Sequence, residues 1–322
     1  MAGCCRASER QRVSHANGTR RRSGARESVS GSPRGEAPRI RLVASSYTAR
    51  PAGKFRHHLP VPLHAWQLAS LIFFGYLMVV AALPRGSSRH ARLRVLAGAA
   101  TGAIVIAMST RLQADGVANV VVLPAAALLI GYWTSGMLFV GPMPRAERLL
   151  ARVDQALRID AVTAACPRPV AELLEFAYTG VYPFIPIALY FSLRQAVTAD
   201  RFWTTILLTD YLCFGMLPWI QTRPPRALGF DATWRSRWRI VNLRMLAAGS
   251  VQVNTFPSGH AAEALVVALI LSDAPASIAG WMFFNAAAIS AGAVFGRYHY
   301  AADAIAGWGV ALIVYRLSHF AS

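Results

Sequence analysis

Long apolar segments, separated by short charged stretches, constrain the fold of this chain more than any other feature. Eight of them follow residue 60, at about 64–83, 93–110, 117–140, 172–193, 202–221, 258–272, 276–295 and 299–318. A helix needs about 20 apolar residues to cross the hydrocarbon core of a bilayer, and most of the segments approach that length. The pattern excludes an ordinary soluble domain. It predicts an all-α, polytopic membrane bundle of about eight transmembrane helices.

The charge between these segments is strongly basic. The 322-residue chain carries 33 Lys and Arg against 15 Asp and Glu, which gives a formal net charge of +18. Such a balance attracts anionic lipid headgroups or phosphorylated substrates. Nucleic acid would also suit the charge, but no recognition motif accompanies it. We therefore expect membrane lipid and a phosphorylated lipid substrate as partners, and no nucleic acid. The oligomeric state is left open.

The chain divides into three predicted regions. Residues 1–60, rich in Arg, Ser, Gly and Pro, predict a disordered tail, although the composition also suits an organelle transit peptide. Residues 61–116 predict two additional N-terminal transmembrane helices, and residues 117–320 predict a catalytic core of six. Within that core, residues 144–160 place leucines opposite arginines at helical spacing. This favours a helix in the membrane interface, with a solvated linker helix as the alternative.

The sequence Phe256-Pro257-Ser258-Gly259-His260 opens the sixth segment. Serine is a good N-cap, and the free N–H groups and dipole of a helix N-terminus bind anions. Gly259 would let a phosphate approach the backbone closely. His260 would then lie on the first turn, able to give a proton to a leaving oxygen. The alternative is a helix start with an incidental histidine.

His299 and Asp303 are four residues apart, so we expect them to share a face of the eighth helix. A carboxylate beside one imidazole nitrogen fixes the tautomer and makes the other nitrogen more nucleophilic. His299 could then attack phosphorus and form a phosphohistidine. The alternative is a buried ion pair that only locks two helices together.

Arg223 and Arg297 carry guanidinium groups that suit phosphate oxygens, with Arg226 as a weaker candidate. Either of the first two could instead be a helix-end arginine that reaches toward the headgroups. Counting membrane crossings places both of them at the same face as His260 and His299. The prediction is a metal-free phosphate site at that face.

Acidic residues inside apolar runs are a further feature. Glu263 could orient His260, three residues earlier, or face water. Asp210 and Glu175 could line a substrate cavity, and hydrogen bonding between helices explains them equally well.

Three sequence elements carry a family resemblance: Arg223-Pro224, Pro257-Ser258-Gly259-His260 and His299-x3-Asp303. They resemble the signatures of the type 2 phosphatidic acid phosphatase (PAP2) superfamily, over about residues 120–320. The resemblance implies that His299 is the nucleophile, that Asp303 supports it and that His260 is the general acid. It also implies that Arg223, Ser258 and Gly259 bind phosphate, without a metal or another cofactor.

Two positions depart from the family pattern. Met216 and Ala293 stand where a lysine and an arginine are usual, and Arg297 is expected to replace the latter. The form Arg297-Tyr298-His299-Tyr300-x2-Asp303 is similar to the inositolphosphotransferase branch, which is related to inositol phosphorylceramide synthases.

We expect a phosphatase that cleaves a lipid phosphomonoester or diphosphate through a phosphohistidine. One alternative is a phosphotransferase acting between lipid and an inositol-like alcohol, and another is a non-catalytic lipid-phosphate binder or transporter. The expected location is the cell membrane. The distribution of arginines would place the site in the cytoplasm, whereas the resemblance implies the outer or lumenal face, which we expect.

Overall fold

The computed structural model describes residues 63–83, 88–112 and 116–320, all within the compact unit His58–Ser322. These residues form twelve α-helices and no β-strand. The helices are α1 (Ala65–Ala82), α2 (Arg89–Ser109), α3 (Leu123–Gly136), α4 (Pro144–Ala156), α5 (Ile159–Ala164), α6 (Arg168–Thr179), α7 (Val181–Arg194), α8 (Ala199–Gly215), α9 (Arg237–Gly249), α10 (Gly259–Ile270), α11 (Ala276–Phe295) and α12 (Ala301–Phe320). A π-helical turn, Ala118–Val122, leads into α3, and a 3-10 turn lies at Pro225–Leu228.

Five helices of the described chain are long and apolar enough to cross a membrane: α1, α2, α3 with its preceding turn, α11 and α12. Large apolar side chains such as Ile72, Ile104 and Leu317 are exposed on their outer faces. Such surfaces suit contact with lipid rather than water. The predicted all-α membrane bundle is confirmed.

The predicted span 172–193 is broken. Helices α6 and α7 meet at a bend of 62°, and together they form a sixth candidate span. The bend lies at Gly180, and Pro183 follows three residues later. A proline has no N–H to bond the carbonyl four residues earlier, so the helix is interrupted there.

Helices α8 and α10, with 17 and 12 residues, are shorter than the other candidate spans. Helix α10 is enclosed by α7, α8, α11 and α12. Its small side chains are fully buried and let the neighbouring helices approach closely: Ala261, Ala262, Ala264, Val266, Val267 and Ala268. A helix surrounded by protein in this way need not reach across the bilayer alone.

The segment predicted as one interfacial helix, 144–160, forms two helices. Helix α4 packs on α12, and Arg158, with φ of 52°, separates it from α5. The buried face of α4 carries Glu147, Leu150 and Asp154. Leu149, by contrast, is 62% exposed. The helix therefore presents two carboxylates to the protein, and its leucines do not form one buried stripe.

Residues 222–255, which join the fifth and sixth apolar segments, contain α9, which packs on α6. Glu175 of α6 accepts hydrogen bonds from Arg239 (2.8 Å) and Asn242 (2.8 Å) of α9. It is thus a contact between helices, one of the two roles predicted for it. The predicted tail 1–60 lies outside the described residues. The boundary between residues 61–116 and 117–320 remains a prediction, although α1 packs on α8 as well as on α2.

Candidate active site

Main-chain contacts join the two histidine-bearing segments. The Ser258 N–H donates a hydrogen bond to the Asp303 carbonyl over 2.9 Å. One turn along α12, a Cβ built on Gly307 would come within 2.5 Å of the Ser258 carbonyl oxygen, so only glycine fits there without movement. Ser258 caps α10 as predicted, its Oγ accepting a hydrogen bond from the Ala261 N–H. The start of α10 is therefore fixed directly against the start of α12.

His299 lies just before α12, which begins at Ala301. The prediction that His299 and Asp303 share a face of one helix is therefore wrong. The two side chains still meet, with 3.4 Å between His299 Nδ1 and Asp303 Oδ2. The same carboxylate oxygen accepts a hydrogen bond from the Tyr300 N–H over 2.9 Å. Asp303 is fully buried. The contact has the distance of an ion pair, but its geometry is not that of a hydrogen bond.

The imidazoles of His260 and His299 face each other with 6.1 Å between ring centroids. This agrees with the crossing count, which predicts them at one face. His260 also contacts the ring of Tyr178, at 5.5 Å, and the edge of Tyr182, at 6.3 Å. The two rings are therefore close enough for both to contact one bound phosphate group.

Both imidazoles line a cavity of about 740 Å³. That volume is in the range of small-molecule sites. Gly259 and Glu263 of α10 and Asp210 of α8 also line it. Most of the remaining wall is apolar or aromatic, with contributions from Val121, Leu128, Tyr132, Ile185, Leu189, Trp203 and Phe214. The cavity can therefore take an amphipathic molecule with its polar end at the histidines.

Arg223 and Arg297, predicted to hold phosphate, pair with carboxylates in the structure. Glu147 accepts hydrogen bonds from Arg223 Nε (2.9 Å) and Nη2 (3.0 Å), and this interaction lowers the pKa of Glu147. Arg297, with φ of 60°, places its guanidinium 2.9 Å from Asp154 and 3.0 Å from Asp160. Neither arginine is part of the cavity wall. Their phosphate contacts remain predictions.

Asp154 joins Arg297 to the start of α12. Its second oxygen accepts a hydrogen bond from the Ala301 N–H over 2.9 Å. Burial raises the pKa of Asp154, and the contacts with Ala301 and Arg297 oppose that rise. The Asp154 carboxylate therefore helps to hold α4 beside Ala301, which follows His299 by two positions.

Arg226 is the arginine that lines the cavity together with both histidines. Its guanidinium lies 5.3 Å from the centroid of the Tyr298 ring, in a cation–π contact. Tyr298 in turn stacks on Tyr178 at 4.2 Å. Among the described residues, no carboxylate forms an ion pair with Arg226, and burial lowers its pKa. Its position suits contact with a bound anion.

The sequence did not identify Glu147 and Asp154 as part of this region. A signal was present, because positions 147, 150 and 154 recur at helical spacing and mark one face of α4. Arg239 of α9 is buried and bonded to Glu175 and Asp231. These pairings depend on which helices pack together, which no local pattern states.

The two departures from the family pattern have different surroundings. Met216 is partly exposed at the end of α8, whereas Ala293 is fully buried in a cluster with Tyr178, Leu246 and Tyr298. That cluster leaves no space for an arginine at position 293. Within the described chain, no group of three or more His, Cys, Asp or Glu side chains could hold a metal ion.

Comparison with known proteins places the chain in a family. A search of curated proteins and a search of solved structures each found no match. The family model described as PAP2 superfamily matches residues 148–317, which include both histidines and the segment from α4 to α12. Because the matched stretch is more than half of the 322 residues, this integral membrane protein belongs to the PAP2 superfamily.

Proposed function

We propose that the protein hydrolyses a lipid phosphomonoester or diphosphate through a phosphohistidine on His299. Membership of the superfamily supports phosphatase-type chemistry on a lipid phosphate. The observation that carries the proposal is the pair of imidazoles, with 6.1 Å between ring centroids, in the wall of a cavity whose lining is otherwise largely apolar. A lipid phosphate has the matching shape, with one charged end and a long apolar remainder.

In the first step, His299 Nε2 attacks phosphorus and the bond from phosphorus to the lipid oxygen breaks. Protonated His260 gives its proton to the departing oxygen, which leaves as a lipid alcohol from a phosphomonoester or as a lipid monophosphate from a diphosphate. Asp303, 3.4 Å from Nδ1, favours the positive charge that develops on the His299 ring. In the second step, His260 takes a proton from water, the resulting oxygen attacks phosphorus, and the bond from phosphorus to His299 breaks to release phosphate.

The phosphate oxygens need donors while this charge develops. We assign that role to Ser258 and Gly259, at the N-terminus of α10, and to Arg226 in the cavity wall. The resemblance assigns it to Arg223 and, by replacement, to Arg297. Both would have to exchange a carboxylate partner for a phosphate oxygen, whereas Arg226 would not.

The test is release of inorganic phosphate from lipid phosphates by the purified protein, with and without vanadate. His299→Ala should lower turnover by at least about 10³-fold, because it removes the nucleophile. His319→Ala, at the opposite end of α12, is the matched control and should retain activity. A His299→Ala protein as active as the control would exclude the mechanism. Absence of turnover in the wild type with every lipid phosphate would favour a non-catalytic binder or transporter.

A phosphotransferase differs only in the second step, where an alcohol replaces water. The sequence Arg297-Tyr298-His299-Tyr300-x2-Asp303, similar to the inositolphosphotransferase branch, is the observation that favours it. Labelled lipid phosphate incubated with and without inositol would separate the two activities. A new labelled phosphodiester that needs inositol would identify a transferase, and free phosphate alone a phosphatase.

For location, we propose the cell membrane with the site on the outer or lumenal face. The support is the superfamily resemblance, because the arginine distribution points the other way. The site lies at the N-terminal end of α12, a candidate span, so the C-terminus should lie on the opposite side. A C-terminal tag that resists protease in intact cells would support the proposed orientation, and a cleaved tag would reverse it.

A further inference from the structure

Two carboxylates beside the catalytic histidines lack partners. Asp210 of α8 and Glu263 of α10 line the cavity and are only 2% and 7% exposed. Within the part of the chain that the structure describes, neither forms an ion pair, and Asp210 Oδ2 and Glu263 Oε1 have no hydrogen-bond partner. A buried polar group that is left unsatisfied is costly, and more so within a membrane.

The positions of these carboxylates relate them to the first atoms of a bound lipid. Glu263 follows His260 by three residues, or about one helical turn into the bundle. Asp210 Oδ1 lies 3.2 Å from the place that a Cβ would take on Gly259. On α8, Asp210 lies between the cavity-lining residues Phe214 and Trp203. Both carboxylates therefore line the cavity close to the first turn of α10, where His260 lies.

We propose that Asp210 and Glu263 form a subsite that accepts hydrogen bonds from a hydroxyl or amino group on the lipid backbone. The inference rests on the proposed function, because it places the phosphate between His260 and His299. The carbons next to the phosphate ester would then lie beside the two carboxylates. A lipid with a donor within a few bonds of phosphate satisfies them, whereas a diacylglycerol phosphate or polyprenyl phosphate does not.

The substrate pair that tests this subsite differs in one atom group. The 1-O-alkylglycerol 3-phosphates with hydroxyl or methoxy at carbon 2 share their tail and phosphate, but only the first has a donor there. The full-length wild-type protein should prefer the hydroxyl lipid by at least about tenfold in kcat/KM, since the methoxy lipid leaves the buried acceptor oxygens without a donor. A third lipid with an amino group at carbon 2 distinguishes a cationic donor from a neutral one. Equal kcat/KM for the hydroxyl, amino and methoxy lipids would overturn the inference.

Substitutions then assign the preference to the carboxylates. Asp210→Leu and Glu263→Met keep approximately the side-chain volume and remove the acceptor oxygens. Either should reduce the preference, and the double variant should bring it below about twofold. Asp273→Asn, an exposed carboxylate that is not among the lining residues, is the matched control and should retain the full preference. A double variant that keeps the preference would place the recognition elsewhere. The wild-type comparison needs no substitution, so it holds even where a variant does not fold.

Failure of this inference is separable from failure of the hydrolase proposal. Turnover of any of the three lipids supports hydrolysis, whatever the ratio between them. If neither these three nor any other lipid phosphate is turned over, the hydrolase proposal fails, and the affinities of the same three lipids for the wild-type protein still test the subsite. The hydroxyl lipid should then bind at least about tenfold more tightly than the methoxy lipid. Equal affinities would overturn the inference in that case as well.

Discussion

The ionisable side chains beside α4 and those in the cavity differ in whether they form ion pairs with other residues. Beside α4, Arg223 meets Glu147, and Arg297 meets Asp154 and Asp160. In the cavity, Arg226 and the carboxylates of Asp210 and Glu263 form no ion pair with any described residue.

The difference indicates which charges hold the fold and which are available to a ligand. Breaking a buried ion pair destabilises the folded state, because the remaining charge is left without compensation. A polar group that lacks a partner inside the protein already carries such a cost, which a bound molecule can remove. Motif position alone suggests Arg223 and Arg297 as phosphate contacts, whereas the pairing pattern points to Arg226.

The largest expected effect comes from breaking the buried pair beside α4. Asp154→Ala leaves Arg297 buried with only Asp160, whose side chain is 57% exposed. We expect a loss of about 3–5 kcal/mol in the free energy of unfolding, measured by denaturant titration in detergent. Asp160→Ala is the matched control and should cost less than about 1 kcal/mol. Equal small losses would mean that Asp154 does not anchor α4.

The second-largest expected effect comes from removing Arg226 from the cavity wall. Arg226→Ala should lower kcat/KM by about 10²–10³-fold, because it removes a donor to the charge that develops on phosphate. Its loss of stability should be smaller than that of Asp154→Ala. Arg235→Ala, on the exposed part of the same loop, serves as the control for phosphate release. If kcat/KM falls no further than in the control, the phosphate contact must come from Arg223 or Arg297.

The smallest effect concerns the pair formed by Arg223, which is partly exposed, and Glu147, which is buried. Arg223 lowers the pKa of Glu147, so the pair stabilises the fold above the ordinary glutamate pKa and loses that contribution as the pH falls through the lowered value. Glu147→Gln should reduce the unfolding midpoint slightly at pH 7. The wild type and the variant should converge only as the pH falls below the lowered pKa of Glu147. A difference that persists in acid would assign the effect to packing rather than charge.

The proximity of His260 and His299 was predictable because it follows from local features and from the number of membrane crossings between the two residues. Each histidine lies at the end of an apolar segment, and the two intervening segments, which form α10 and α11, bring the chain back to the same face. The N-cap at Ser258 was predictable for a similar reason, since capping depends on only a few neighbouring residues. Both features are present in the structure.

The partners of the arginines were not predictable in the same way. Glu147 and Asp154 are far from Arg223 and Arg297 along the chain, and only the packing of α4 on α12 brings them together. The leucines of α4 suggested a different buried face. The break at Gly180 was also missed, because residues 172–193 are apolar enough to resemble one continuous helix.

The contact of Ser258 with Asp303 and Gly307 has a consequence for how such an enzyme could change its substrate. Contacts between backbone atoms hold the start of α10, where His260 lies, against the start of α12, which follows His299. The parts of the cavity wall that α3 and α7 contribute lie outside that contact. Residues in those parts of the wall can be exchanged during evolution or design to suit a different lipid tail, while His260 and His299 keep their alignment.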